Sequence, residues 1–434
     1  MITEIRSKYI KKGLKYTIFF FILFSIVFNI KYSILPIPSL ILGALMGILC
    51  ILNKSISGAS KVSIRCSHKE YSIFGIFCLL ILVCIISSLV NLSQDLHVFS
   101  ELIIVNFVRL ASAYFIIKIF TWSNDGDKNV SKFSTALAIC CVVQIIVSYI
   151  GFFNPDFYNN VINSLISKSG GLEQEFEEGA LGYRPLGIGG YRFFGAGIIN
   201  GIVLILLSIS ITQDKGSKKR RLFKIIAYFF IAIGGLAISR TTIIGFFLSI
   251  IYLFFSKKKG RIYIAYSILI LSILFYSISM LIEYLNNPKI ETIYNFGFEL
   301  INNYLDNGEL TTKSTNVMGH MYIFPETLKT WLIGDARIRT ESGYYMATDI
   351  GFIRIIFAIG LIGLLIFIGY QIYVLYLARN IFTSNRKIII TLFITYLIIL
   401  NFKGLTDLSL YLFLFFFLGK TPVTKNKKIE LKTY

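Results

Sequence analysis

Residues 194–261 read FGAGIINGIVLILLSISITQDKGSKKRRLFKIIAYFFIAIGGLAISRTTIIGFFLSIIYLFFSKKKGR, and this stretch decides the fold. Three apolar blocks, each near the roughly 20 residues that a helix needs to cross a bilayer, are divided only by a basic break and a short polar turn. The same alternation runs through all 434 residues, of which 55% are hydrophobic and 15% charged. A typical soluble protein has about 25% charged residues. The composition excludes a soluble enzyme, a disordered chain and a nucleic-acid-binding domain. It predicts an all-α polytopic integral membrane protein, with a single membrane domain over residues 1–434.

The apolar blocks predict about twelve transmembrane helices. A block of about 20 apolar residues covers the hydrocarbon core because a helix rises about 1.5 Å per residue. The blocks lie near residues 16–34, 35–52, 71–91, 99–121, 133–153, 191–212, 222–239, 241–256, 262–282, 349–377, 388–402 and 405–420. An even number of spans places both termini on the same side of the membrane.

Lysine and arginine residues set the predicted orientation. Short loops rich in these residues stay in the cytoplasm, and the basic clusters of this chain fall into every second connection. The clusters lie at residues 6–15, 54–69, 215–221, 257–261, 379–387 and 425–428, and they account for most of the net charge of +20. Both termini are therefore expected to be cytoplasmic. Residues 154–190 and 283–348 are expected to form the two long extracytoplasmic loops.

The larger loop, residues 283–348, is expected to be helical. Residues 288–305 place apolar side chains at helical spacing, which predicts an amphipathic helix. A second helix is predicted from about residue 316 to residue 332. Helices of this kind are expected to lie across the outer membrane surface and to roof a cavity.

Six arginines fall on the predicted outer side of the membrane, where the topology rule disfavours positive charge. Each of them could snorkel to the interface or form a salt bridge between helices. Six arginines on one side instead favour an anion site, because guanidinium groups match phosphate oxygens with pairs of hydrogen bonds. The predicted binding residues are Arg184, Arg192, Arg240, Arg337, Arg339 and Arg354.

Four further residues are candidates for chemistry or for sugar contact. His320, Asp349 and Glu341 are candidate general bases. Each also has an ordinary interpretation: His320 as a surface residue, Asp349 as a helix N-cap, and Glu341 as a solvated loop carboxylate. Tyr344 could stack on a sugar or belong to the aromatic belt at the membrane surface.

Charged residues within the apolar blocks suggest internal pairing. Glu101 and Arg109, eight residues apart, fall on roughly one face of a helix and could form an ion pair or a relay. Metal binding is not expected, because the six cysteines lack metal-ligand spacing and the outer segments contain no Asp-x-Asp. No cofactor is expected either.

Several short motifs follow one another between residues 180 and 365. They are Arg184-Pro185-x-Gly187 before a glycine-rich block with Asn200, Ser239-Arg240-Thr241, Trp331 to Gly334, and Ser342-Gly343-Tyr344 through Asp349 to Arg354 and Gly360 to Gly363. Their order, together with the number of spans, resembles the O-antigen polymerase and ligase superfamily. The last stretch is similar to the segment that follows the large periplasmic loop in Wzy-type polymerases.

The chain departs from the pattern of this superfamily at three places. Residues 196–200 stand where the family often has Pro-Asn, and Thr242 stands where a glycine commonly follows Ser-Arg-Thr. The ligases of the group carry an essential histidine late in the large loop. His320 corresponds to it, in a loosely similar context.

The resemblance implies a GT-C-like fold and a glycosyltransferase at the outer face of the bacterial inner membrane. Its substrates would be an undecaprenyl-diphosphate-linked glycan donor and acceptor, polymerised into O-antigen or capsular polysaccharide without a metal. Arginines would stabilise the diphosphate leaving group, and His320, Asp349 or Glu341 would act as the base. The implied partners are the lipid bilayer, a chain-length regulator and a flippase, with no nucleic acid.

Two other functions fit the same pattern. An O-antigen ligase would transfer finished polymer to the lipid A core, and the motifs separate it poorly from a polymerase. A flippase or transporter for lipid-linked oligosaccharide would also have about twelve spans and arginines in a cavity. The large outer loop, 283–348, argues against a flippase because such proteins have short loops on both sides.

Reporter fusions test the predicted orientation. Alkaline phosphatase fused after Asp306 should be active, and fusions after Lys219 and Lys258 should be inactive, because positive residues are retained in the cytoplasm. Green fluorescent protein at the same positions should give the reverse pattern. Fluorescence at Asp306 with phosphatase activity at Lys219 would contradict the orientation.

Overall fold

The computed structural model describes most of the chain. The described residues are 2–32, 37–56, 68–124, 129–165, 180, 182–213, 217–256, 261–263, 276–277, 280, 284, 287–309, 311–340, 343–382 and 384–419. Glu341 and most of the predicted span 262–282 lie outside them.

The described residues form an α-helical protein with one small hairpin. Its helices are α1 (Ile2–Val27), α2 (Ser39–Ile56), α3 (His68–Asn91), α4 (His97–Ser123), α5 (Val130–Phe153), α6 (Phe194–Gln213), α7 (Lys218–Ile238), α8 (Thr242–Phe255), α9 (Pro288–Asn307), α10 (Lys313–Gly319), α11 (Leu328–Ile333), α12 (Gly351–Ala378), α13 (Arg386–Asn401) and α14 (Ser409–Gly419). Short helical turns cover 155–165. Strands β1 (Arg339–Thr340) and β2 (Gly343–Tyr344) pair in antiparallel fashion.

The length and composition of these helices confirm a helical membrane protein. Among the described residues, six helices are long and apolar enough to cross a bilayer, namely α3, α4, α5, α6, α7 and the stretch that contains α12. Helices α2, α8 and α14 are apolar but shorter. The total of about twelve spans stays a prediction.

Helix α6 lies at the centre of the bundle. Its residues 202–207 are each at most 1% exposed, and α5, α7 and α8 pack around it. Helices α6 and α8 touch through glycines, since a Cβ on Gly245 would lie 2.1 Å from the Cα of Gly201. Helix α3 lies outside, with Leu79, Leu82 and Leu89 at least half exposed. This pattern is typical of a surface that faces lipid.

Helix α12 is broken at Gly360, where φ is 70°. Such a break frees backbone carbonyls that need new donors in an apolar environment. The N–H of Asp335 donates to the Phe357 carbonyl at 2.6 Å, and the Ser87 hydroxyl donates to the Ala358 carbonyl at 3.0 Å. The segment after α11 and helix α3 therefore hold the first part of α12 at a fixed angle.

A largely buried ion pair connects three helices inside the bundle. The Arg109 guanidinium lies 2.5 Å from the Asp407 carboxylate, which also accepts hydrogen bonds from the Tyr370 hydroxyl at 3.2 Å and the Ser409 N–H at 2.8 Å. The expected pair between Arg109 and Glu101 does not form, because the turn before α14 brings Asp407 to Arg109. This satisfied network ties α4 to α12 and α14.

The amphipathic helix predicted over residues 288–305 is confirmed as α9. Asn287 caps it by accepting a hydrogen bond from the Lys289 N–H at 3.0 Å. Pro288 occupies the first turn, and Gly308 ends the helix with φ at 71°. Its boundaries therefore follow ordinary capping chemistry.

The prediction of a single helix from about residue 316 to 332 is wrong. The structure has two short helices, α10 and α11, with non-helical backbone between them. Pro325 lies in this connection and lacks the N–H that a continuous helix would need. Its carbonyl instead accepts a hydrogen bond from the Trp331 indole at 2.8 Å.

Gly360→Ala should destabilise the protein more than an alanine elsewhere in α12. A Cβ at this position would lie 2.1 Å from the Leu332 carbonyl oxygen, and alanine disfavours the positive φ. We expect the free energy of unfolding to fall by about 2–4 kcal/mol, which would be measured as a lower melting temperature in detergent.

Gly369→Ala is the matched control. A Cβ at Gly369 meets no atom within 4 Å, so the melting temperature should stay unchanged or rise slightly. Equal melting temperatures for the two variants would contradict the constraint at Gly360.

Candidate functional site

Four segments that carry charged side chains meet at one end of the bundle. They are the loop before α6, the turn between α7 and α8, residues 343–354, and the turn between α13 and α14. Helix α9 lies beside the first two segments. The other end of α7 begins with the basic run Lys218 to Arg221, about 30 Å away for a helix of this length.

Arg184 and Arg240 approach the same aromatic ring. The Arg184 guanidinium lies 4.5 Å from the Phe193 ring centre and 5.2 Å from that of Phe296. The Arg240 guanidinium lies 4.2 Å from the Phe296 ring centre. Phe296, on α9, therefore brings the two arginines together, and cation–π contact partly offsets the cost of placing them side by side.

Arg240 lies in the tight turn between α7 and α8 and has several partners. Its Nε donates to the Phe296 carbonyl at 2.9 Å, its Nη1 donates to the Ser314 hydroxyl at 3.4 Å, and its Nη2 pairs with the Glu299 carboxylate. Burial lowers the pKa of Arg240, and Glu299 opposes this effect. Helix α9 thus neutralises one of the two arginines.

No carboxylate among the described residues pairs with Arg184. Burial is the main cause that lowers its pKa to about 10, and the nearby positive charge of Arg240 lowers it further. Its buried Nε has no hydrogen-bond partner within the part of the chain that the structure describes. A partly buried guanidinium whose buried Nε has free hydrogen-bonding capacity is suited to bind an anion.

Lys403 completes the group of closely placed cations. It lies in the turn between α13 and α14, and its pKa is lowered to about 8, first by burial and then by Arg240 and Arg184. Asp349 opposes this shift. We call Arg184, Arg240 and Lys403 the cationic cluster.

A second group of charges surrounds Arg354 in the first turn of α12. Arg354 is 6% exposed and lies 3.4 Å from the Glu101 carboxylate and 3.5 Å from that of Asp349. Glu101 also pairs with Arg339 at 2.5 Å, and the Tyr344 ring centre lies 3.7 Å from the Arg354 guanidinium. We call these five residues the Arg354 network.

Glu101 occupies an irregular part of α4. Residues Ser100–Ile104 form a π-helical turn, a distortion that is frequent at functional sites. Unlike Arg184, Arg354 has two carboxylates close by. Its charge is therefore largely balanced inside the protein.

Asp349 belongs to the Arg354 network and also faces Lys403 of the cationic cluster. The N-cap of α12 is Ile350, so Asp349 does not have the capping role that its position suggested. Its side chain is half exposed; partial burial raises its pKa, while Arg354 and Lys403 oppose the shift. A carboxylate with a raised pKa is a better proton acceptor than an ordinary one, which fits a general base.

The remaining predicted residues lie at the margin of the site. His320 is exposed. The Thr348 hydroxyl donates to the carbonyl of Met321 at 2.7 Å, so His320, the residue before Met321, lies near Asp349, the residue after Thr348. Arg337 is exposed, 5.9 Å from the Tyr345 ring centre.

Arg192 is buried at the start of the central helix. Its carbonyl accepts a hydrogen bond from the Gly187 N–H at 3.4 Å, which ties it to the loop that carries Arg184. Glu341 lies outside the described residues. The structure therefore brings together Arg184, Arg240, Arg339, Tyr344, Asp349 and Arg354 from the predicted set.

Sequence reasoning missed Lys403, Glu299 and the role of Glu101. The sequence could have indicated Lys403, because the turn that holds it falls on the predicted outer side of the membrane. A positive residue is unusual there, for the same reason that the six arginines are. Glu299 gave no signal, because it is one of several charges on an amphipathic helix. Among the described residues, no group of three His, Cys, Asp or Glu side chains could hold a metal ion.

No protein-family model, curated protein or solved structure matches this chain. Evidence on function therefore comes from the motifs and from the contacts within the site.

Glu101→Gln should destabilise the end of the bundle that carries the site. The substitution keeps the shape of the side chain but removes the charge that faces Arg354 and Arg339. We expect the free energy of unfolding to fall by on the order of 3 kcal/mol, because the buried Arg354 guanidinium loses a partner. The change is measured as a lower melting temperature.

Glu291→Gln, on the exposed first turn of α9, is the control and should change the melting temperature by less than about 1 °C. A Glu101 variant as stable as this control would show that the Arg354 network contributes nothing to stability.

Proposed function

We propose that the chain is a glycosyltransferase that polymerises undecaprenyl-diphosphate-linked oligosaccharide repeat units into O-antigen or capsular polysaccharide. We place the reaction at the outer face of the bacterial inner membrane, with both termini in the cytoplasm. The motif order between residues 180 and 365 and the cationic cluster support this proposal.

The observation that carries the proposal is the cationic cluster itself. Three partly buried cations lie near one another, and Glu299 and Asp349 are the carboxylates that oppose them among the described residues. Like charges this close cost free energy unless an anion joins them. A diphosphate offers several negative oxygens, and two arginine forks and an ammonium match them.

The proposed reaction exchanges one bond at the anomeric carbon of the donor glycan. A hydroxyl oxygen of the acceptor repeat unit bonds to that carbon, and the bond from the carbon to the diphosphate oxygen breaks. The hydroxyl proton passes to a base, and the diphosphate keeps the electron pair and stays on its lipid carrier. Arg184 and Arg240 stabilise the negative charge that develops on the leaving oxygen.

Asp349 is the base best placed for this step. Within the Arg354 network it is the carboxylate that also faces the cationic cluster, and partial burial raises its pKa. Two exposed aromatic side chains beside the cluster offer faces for sugar stacking. Tyr183 lies 5.6 Å from the Phe296 ring, and Tyr322 donates a hydrogen bond to the Phe402 carbonyl at 3.0 Å.

One observation favours transport of the lipid-linked glycan as a second candidate function. Helix α12 is interrupted at Gly360, and transporters build substrate sites from interrupted helices. The freed carbonyls of Phe357 and Ala358, however, already have donors within the protein. The break in α12 is therefore better explained as the feature that orients Arg354.

Arg184→Ala tests the proposed function. Purified protein with undecaprenyl-diphosphate-linked repeat units should form a ladder of polymers, and the variant should form it about a hundredfold more slowly, because one donor to the leaving group is lost. Arg379→Ala is the control. Arg379 lies beyond the far end of α12, against Tyr376, and its loss should leave the rate within about twofold.

Three outcomes would count against a polymerase. A ladder of normal length and rate from Arg184→Ala would remove the role of the cationic cluster. Transfer of finished polymer to a lipid A core, without polymerisation, would indicate a ligase. Movement of the lipid-linked unit across a liposome membrane without any glycosidic bond formed would indicate a transporter.

A further inference from the structure

The turn between α13 and α14 is built to hold Lys403 in one position. The Lys403 and Gly404 N–H groups both donate to the Leu400 carbonyl at 3.0 Å. The Asn401 side chain accepts a hydrogen bond from the Thr406 N–H at 3.1 Å and donates to the Thr406 carbonyl at 3.0 Å. These four bonds close the turn on itself and leave the Lys403 side chain to project from it.

Neighbouring segments fix the place of this turn in the bundle. A Cβ on Gly404 would lie 3.0 Å from the Phe194 ring, and a Cβ on Gly351 would lie 2.6 Å from the Gly404 carbonyl oxygen. The Phe402 ring centre is 4.9 Å from that of Phe352. The turn therefore packs between the starts of α6 and α12. It lies beside the loop that carries Arg184 and next to Asp349.

We propose that Lys403 is the third ligand of the diphosphate, together with Arg184 and Arg240, and that molecules in which its amine is neutral take up a proton as the diphosphate binds. This inference rests on the proposed function. It concerns a residue outside every motif that carries the family resemblance.

The charged groups that face Lys403 explain the proton uptake. Arg184 faces it from the loop before α6, Arg240 from the turn between α7 and α8, and Asp349 from the segment before α12. Glu299, on α9, is held by Arg240. Burial, Arg240 and Arg184 together disfavour the charged form of Lys403 more than Asp349 favours it, and the negative charges of a bound diphosphate would reverse this balance.

The sign of the pH dependence follows from this balance. Without ligand, the pKa of Lys403 is about 8, so below that pH most molecules already carry the proton that binding requires. Above it, binding must first protonate the amine. Affinity should therefore be constant at lower pH and fall about eightfold between pH 7.5 and pH 9, if the bound amine regains an ordinary pKa near 10.5.

Binding of undecaprenyl diphosphate to the full-length protein in nanodiscs tests the inference. The dissociation constant is measured at pH 7.5 and pH 9 for the wild type, Lys403→Arg and Lys403→Met. The arginine variant stays charged, so its affinity should be close to wild type at pH 7.5 and should lose the eightfold fall. The methionine variant should bind at least tenfold more weakly at pH 7.5, with little dependence on pH.

Two further arms identify what the site binds. Undecaprenol, which has the lipid chain without phosphates, should show no dependence on Lys403. Inorganic diphosphate should compete with the lipid if the phosphates alone are recognised, and failure to compete would restrict the ligand to the lipid-linked form. Melting temperatures of the Lys403 variants within about 2 °C of wild type establish that they fold.

The outcomes separate this inference from the proposed function. If Lys403→Met binds undecaprenyl diphosphate with the wild-type affinity and pH dependence, while Arg184→Ala does not bind it, Lys403 is no ligand and the proposed function stands. If the wild-type protein shows no preference for undecaprenyl diphosphate over undecaprenol, both proposals are overturned.

Discussion

The placement of positive charge in an apolar helical bundle constrains the rest of this structure. A buried guanidinium is stable in such an environment only when carboxylates, aromatic faces or an external anion stabilise it. Arg109 has Asp407, and Arg354 has Glu101 and Asp349. Among the described residues, Arg184 contacts aromatic rings and pairs with no carboxylate. Its surroundings therefore favour a ligand from outside the protein.

Local backbone irregularities bring these charges to their places. The π-helical turn in α4 carries Glu101, and the break at Gly360 sets the direction of the short first part of α12, with Arg354 on it. The α13–α14 turn is closed by its own hydrogen bonds and carries Lys403. Regular helices would place the charged groups at different angles, so the irregular positions belong to the site as much as the charged side chains do.

Hydropathy was enough to predict the helical membrane fold and α9, since both depend on local composition and spacing. The motifs also contain Arg184 and Arg240, which approach the same ring, and Arg354, which lies in the neighbouring network. Ion-pair partners could not be predicted, because Asp407 reaches Arg109 only through the packing of α14 against α4. Pro325 could have indicated the division of the helix predicted over 316–332, but the apolar spacing on both sides of it concealed the break.

The central claim is that the cationic cluster binds the diphosphate of a lipid carrier, and a structure of the complex tests it most directly. Electron cryo-microscopy of the protein in nanodiscs with undecaprenyl diphosphate should show both phosphates within about 4 Å of the Arg184 and Arg240 guanidinium groups. Phosphate density at the other end of the bundle, beside Lys218 to Arg221, would contradict the account.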